Sequence, residues 1–138
     1  MPKPKPKLEA ETEAVRQFYA ALNRGDIPAT VKILDPQIER VEPPGFPASG
    51  TFRGIAAVQE HFTKARATWA EGACEPQRFA VAGDKVIAFI QVRVRLKHEK
   101  EWREGRVTDV FTFRNGKATQ FRTFTDETRA LEFAGISS

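Results

Sequence analysis

The run Arg106–Asp126, RVTDVFTFRNGKATQFRTFTD, decides how this chain of 138 residues folds. Thr, Val and Phe dominate two strand-like segments, and Asn115-Gly116 between them supplies the positive φ angles of a tight hairpin. The first segment carries one carboxylate, Asp109, among Val107, Phe111 and Phe113. Side chains on a strand alternate faces, so the register of the hairpin decides what Asp109 does. A two-residue turn pairs Arg114 with Lys117 and sets Asp109 opposite Arg122, as a cross-strand ion pair. A three-residue loop with Gly116 as a bulge pairs Phe113 with Lys117 and sets Asp109 opposite Phe121, inside an apolar wall. The reading adopted is the second, with Arg122 on the other face and the Asp109 carboxyl raised in pKa by desolvation without an Arg partner.

Upstream of this hairpin, Glu75–Ala82 and Lys85–Lys97 read as two more strands, with turns at Gly83-Asp84 and HEKE. In VIAFIQVRVRL, Val86, Ala88, Ile90, Val92, Val94 and Leu96 share one face and Ile87, Phe89, Gln91, Arg93 and Arg95 the other. The amino-terminal half is helical. Val15, Phe18, Tyr19 and Leu22 recur at helical spacing from Leu8 to a stop at Gly25, and Asp26 caps a short helix reaching about Leu34. Gln37–Glu42 reads as a short strand, PPGFPASG as a loop, and Gly54–Trp69 as a third helix with Ile55, Val58, Phe62, Ala65 and Trp69 inward. Asp126 caps a final short helix. The expected fold class is therefore α+β: a curved, mainly antiparallel sheet wrapped around three helices of the amino-terminal half, forming a cone with an internal cavity, plus a short carboxy-terminal helix. Residues 1–7 form a Lys/Pro tail and 8–138 a single domain.

The formal charge is +4, but without Lys3, Lys5 and Lys7 of the opening MPKPKPK, 19 basic residues face 18 acidic ones. A nearly neutral domain lacks the clustered positive surface that nucleic acid requires. One cysteine, Cys74, forms no internal disulfide, and no Cys/His cluster has zinc spacing, so a cytoplasmic setting without metal or cofactor is expected. The segment after the tail, LEAETEAVRQF, is too acidic for a signal peptide, and no membrane span is visible.

VRQFYAALNRGD, RVEPPG, TFRGIAAVQEHF and VTDVFTFRNGKATQFRTFTD, in this order, resemble the nuclear-transport-factor-like superfamily. The likeness is to its ketosteroid isomerase and SnoaL-like polyketide cyclase branch, over about Ala14 to Gly135. It implies a pocket for a hydrophobic small molecule, a carboxylate base at Glu42 just before Pro43, and an Asp at position 109 that stays protonated to donate a hydrogen bond. The isomerase Tyr position falls on Phe18, which cannot donate; Tyr19 is about 100° of helix away. Limonene epoxide hydrolases share the fold, but their catalytic residues match Thr123, Val92 and Ile90, so that triad is absent.

Glu42 and Asp109 are thus the candidate catalytic pair, dividing base and donor if their surroundings separate their pKa values. The logic of a carboxylic acid kept neutral by an apolar site is that of the ketosteroid isomerases themselves. Phe18, Tyr19, Phe89, Gln91, Arg93, Phe111 and Phe121 are the candidate ligand contacts. For Phe89, Gln91 and Arg93 two indications conflict: alternation buries the Val/Ile face against the helices, whereas the resemblance turns Phe89, Gln91 and Arg93 toward the cavity and leaves Val/Ile as a homodimer face. The second is adopted, with a homodimer through the sheet. His61 reads as a packed residue without a visible partner, and Trp69 as core or interface. The function that follows is an isomerase or cyclase acting on a hydrophobic carbonyl compound; the alternative is a noncatalytic binding or interaction domain.

Overall fold

The computed structural model describes residues 8–44 and 49–136. The Lys/Pro tail, residues 45–48 of the Pro/Gly-rich loop and the last two residues lie outside the described residues. Helix α1 (Glu9–Asn23) starts with Glu9 and Glu11 at the positive end of its dipole and buries Val15, Phe18, Tyr19 and Ala21. It stops where Gly25 takes φ +79°. Asp26 then accepts a hydrogen bond from the Ala29 amide and opens α2 (Ile27–Thr30), followed by a 3-10 turn over Val31–Ile33. The second helix is shorter than expected, because strand β1 (Leu34–Glu42) already begins at Leu34 and takes in Asp35-Pro36.

Strand β2 (Gly50–Arg53), absent from the sequence reading, pairs antiparallel with β1. Helix α3 (Ile55–Ala67) buries Val58, His61 and Phe62 and ends before Trp69, which opens strand β3 (Trp69–Ala82). Strands β4 (Lys85–Leu96), β5 (Arg103–Arg114) and β6 (Lys117–Phe124) and helix α4 (Glu127–Phe133) complete the fold. The six strands form one sheet in the order β2-β1-β6-β5-β4-β3, antiparallel except where β1 runs parallel to β6. The fold class is the expected α+β. Register shifts bend β3 and β4 over the helices, and at Gly72, φ +122°, β3 comes so close to β4 that a Cβ would stand 2.2 Å from the Arg93 carbonyl oxygen.

The central hairpin resolves differently from both registers. Asn115 and Gly116, at φ +52° and +79°, make the two-residue turn, and Arg114 pairs with Lys117. The three-residue loop is therefore corrected. One step on, Phe113 pairs with Ala118 but Thr112 with Gln120, so Thr119 is an extra residue in β6, and its hydroxyl donates to the Thr112 carbonyl at 3.2 Å. This bulge shifts the register once more: Asp109 faces Thr123, neither Arg122 nor Phe121. Asp109 still shares the inner face with Phe111 and Phe113, while Arg122 points outward over Phe124 and Phe133.

Alternation on β4 also holds where the family resemblance does not. Val86, Ala88 and Ile90 join the main core with Val15, Phe18, Val58 and Phe111, whereas Ile87, Phe89 and Val110 pack on the outside against Ala130 of α4. Beyond α4 the outer face is polar: Arg78 lies 3.6 Å over Phe89, Gln91 bonds to the Gly105 carbonyl, and Arg93 pairs with Glu104. The argument for a homodimer rested on a broad apolar outer face, and that premise is replaced by a helix cover and arginine-aromatic contacts. Among the described residues, no helix is long and apolar enough to cross a membrane.

Candidate functional site

Between α1, α3 and the inner face of the sheet lies a cavity of about 350 Å³ that opens at the start of β5. Its deep end gathers polar side chains from five elements: Tyr19 of α1, Arg40 and Glu42 of β1, His61 of α3, Asp109 of β5 and Thr123 of β6. Ile90, Val92, Val94 and Leu96 of β4 form an apolar wall, with Trp69 beside them. Each polar group arrives by strand alternation or helix pitch. Ile38, Arg40 and Glu42 occupy one face of β1 at spacing two, Asp109 shares its face of β5 with Phe111 and Phe113, and the Thr119 bulge turns Phe121 and Thr123 of β6 toward it.

Asp109 is 4% exposed. The Tyr19 hydroxyl donates a short hydrogen bond to Oδ2 and the Thr123 hydroxyl donates to Oδ1 at 2.5 Å. Burial raises the Asp109 carboxyl above its ordinary value, although Arg40 and the two hydroxyls oppose the shift. Burial, and then the neighbouring Asp109, push the Tyr19 phenol well above its ordinary value, so Tyr19 keeps its proton and remains a donor. Among the described residues no Arg forms an ion pair with Asp109, as expected; Arg40 opposes the shift only electrostatically.

Glu42 meets His61, with Nε2 2.8 Å from Oε2, an approach close enough for a hydrogen bond but without the angle of one. The other carboxylate oxygen is 3.9 Å from Arg40 Nη2. His61 stacks on Phe52 with ring centroids 4.1 Å apart. Arg40 lies over Phe121 at 4.0 Å and donates from Nη1 to the carbonyls of Val41 and Phe121. Burial lowers the Arg40 pKa, against the raising influence of Asp109 and Glu42. Cys74, also on the wall, is pushed up to about 12 by burial, which leaves a thiol and not a nucleophilic thiolate.

Of the residues singled out from sequence, Glu42, Asp109, Tyr19 and Phe121 line the cavity. Phe18 and Phe111 do not; they fill the aromatic core next to it, and Tyr19, not Phe18, reaches Asp109. Phe89, Gln91 and Arg93 stand on the opposite face of β4 and are withdrawn as cavity contacts. Arg40, His61, Thr123 and Trp69 were missed as lining residues. The signal for Arg40 was present in its spacing of two from Glu42. His61 needed its partner on β1, which no local pattern displays.

The cone of helices inside a bent sheet, with a polar cluster at its deep end, defines a nuclear-transport-factor-like α+β domain. The profile of the SnoaL-like domain matches residues 15–121, and the chain belongs to that family. A nuclear-transport-factor-like protein from Burkholderia xenovorans LB400 is 31% identical, with 91% of this chain and 95% of that one covered and a TM-score of 0.72. TerC, co-crystallised with polyporic acid, is 25% identical over 89% of this chain and 96% of its own, with a TM-score of 0.73. A Sinorhizobium meliloti protein provisionally named a polyketide cyclase, 18% identical over 81% and 94% with a TM-score of 0.67, shares the fold. None of the curated proteins is similar to the chain.

Proposed function

We propose that the cavity binds a hydrophobic carbonyl compound and carries out isomerase-type or cyclase-type acid–base chemistry on it. The observation that carries this reading is that two carboxyl side chains, Glu42 and Asp109, stand on one largely apolar wall, one of them with its acidity suppressed by burial. Glu42 takes the proton from carbon next to the carbonyl, and the developing enolate oxygen is stabilised by the proton of Asp109, whose carboxyl the Tyr19 and Thr123 hydroxyls hold in place. The proton then returns to another carbon, which is isomerisation, or the enolate carbon attacks a second carbonyl and the alkoxide formed takes the proton back from Glu42, which is cyclisation. TerC's co-crystallisation with polyporic acid supports a small-molecule ligand for the family. The lone Cys74 supports a reducing, cytoplasmic setting.

Hydrogen–deuterium exchange into a set of β,γ-unsaturated cyclic ketones, followed by mass spectrometry, tests the reading. Wild-type protein should catalyse exchange, Glu42→Gln should reduce it by about 10²-fold or more, and Asp109→Asn by about tenfold. Exchange that survives Glu42→Gln contradicts the assignment. A second reading, noncatalytic binding, is favoured by one observation: Asp109 already accepts from both Tyr19 and Thr123 and can serve simply as a satisfied anchor. Ligand binding with no exchange in wild type would select it.

A further inference from the structure

Arg40 is the charged group of the cavity that the acid–base scheme does not use. It is 5% exposed, although it carries a full charge. Its plane is fixed by Phe121, 4.0 Å away, and by the two carbonyls that Nη1 holds. Nε has no hydrogen-bond partner, and the contact of Nη2 with Glu42 is long, at 3.9 Å. A buried guanidinium is ordinarily matched by a close bidentate carboxylate. Here neither carboxyl supplies it: Glu42 brings Oε2 to 2.8 Å from His61 and leaves Oε1 3.9 Å from Arg40, and Asp109 accepts from Tyr19 and Thr123. Of the other arginines on the lining, Arg66 is held by the Leu22 and Asn23 carbonyls, Arg103 is paired with Glu99, and Arg106 bonds to Gln91.

We propose that the ligand carries a delocalised oxyanion, an enolate or vinylogous carboxylate on an apolar ring body, and that Arg40 receives the charged oxygen. Arginine suits this role because its planar, permanently charged fork matches a delocalised anion and needs no proton transfer to bind it. The β4 wall of Ile90, Val92, Val94 and Leu96 accommodates the ring. The inference rests on the cavity being the ligand site and does not require Glu42 to perform chemistry.

The probe pair is 2-hydroxy-1,4-naphthoquinone, whose enol is ionised at neutral pH, and its 2-methyl ether, which cannot ionise. Calorimetry on the full chain should show the anion binding at least about tenfold more tightly than the ether. In Arg40→Met, which keeps the stem and removes the charge, that preference should fall to within about twofold, and in Arg40→Lys it should be partly retained. Equal or tighter binding of the ether by wild type overturns the proposal without any variant, so a failure of Arg40→Met to fold leaves the test intact. Failure of wild type to bind either probe, or an undiminished preference in folded Arg40→Met, also overturns it. Anion preference without deuterium exchange on ketones would sustain this proposal while sinking the catalytic one; exchange without anion preference would do the reverse.

Discussion

The two ends of the cone are walled by the same strands and helices yet are built from opposite materials. At the closed end Phe18 meets Phe62, Phe111 and Phe121 edge to face at centroid distances of 5.2 to 5.8 Å, and Phe111 stacks on Phe121 at 4.4 Å. Around the cavity Arg40, Glu42, His61 and Asp109 surround free volume. Close-packed aromatics contribute dispersion and burial, whereas buried polar groups around a void stabilise a fold weakly and cost desolvation. The difference teaches where close packing stops: Phe121 belongs to both regions, stacking on Phe111 and lying under Arg40.

This contrast is broken most severely at the closed end. Phe111→Ala removes a fully buried ring from the aromatic cluster and should cost about 3–5 kcal/mol in chemical denaturation. A loss below about 1 kcal/mol would mean the cluster is not the packed centre of the domain. In the cavity, Tyr19→Phe leaves Asp109 Oδ2 without its donor and should cost less, about 1–3 kcal/mol. It should also raise the Asp109 carboxyl further, because the lost hydrogen bond favoured the ionised form.

The pH dependence of stability sharpens the comparison. Folded Asp109 holds its proton at pH values where the unfolded chain, at the ordinary 3.8, has lost it. Its contribution is therefore fully present below that ordinary value and is lost as pH rises through the raised folded value. Asp109→Asn cannot titrate, so the stability of wild type relative to this variant should fall as pH is taken from about 4 to about 7. A difference that grows with pH would show that Arg40 and the hydroxyls outweigh burial. The smallest effect belongs to the outer face: Arg93→Gln breaks an exposed pair with Glu104 and a contact over Trp102, and should change stability by no more than about 0.5 kcal/mol and leave ligand binding unaltered.

What the sequence disclosed was strongest where a local rule and the tertiary fold agree. The Asn115-Gly116 turn, the inner face of β4 and the placement of Asp109 among Phe111 and Phe113 all follow from turn chemistry and alternation. The Thr119 bulge was not legible, because Lys117–Phe124 alternates plausibly in either register and only pairing with β5 exposes the extra residue. Asp109 reached its apolar surroundings by a route other than the one expected. Strand β2 left no mark because its four residues are mostly exposed and owe their form to backbone pairing with β1. At Phe89, Gln91 and Arg93 the family likeness and alternation point to opposite faces, and the structure follows alternation, with Ala130 of the outer helix α4 packed on Ile87, Phe89 and Val110.

The acid–base account stands on a carboxyl that burial keeps protonated beyond the usual range, and a carbon-13 NMR titration of the Asp109 side chain measures that directly. The account predicts a midpoint above the ordinary aspartate value of 3.8 in wild type and higher still in Tyr19→Phe. A midpoint at or below that value would show Asp109 as the ionised partner of Arg40, leaving no carboxylic acid in the cavity to donate a hydrogen bond to a ligand oxygen.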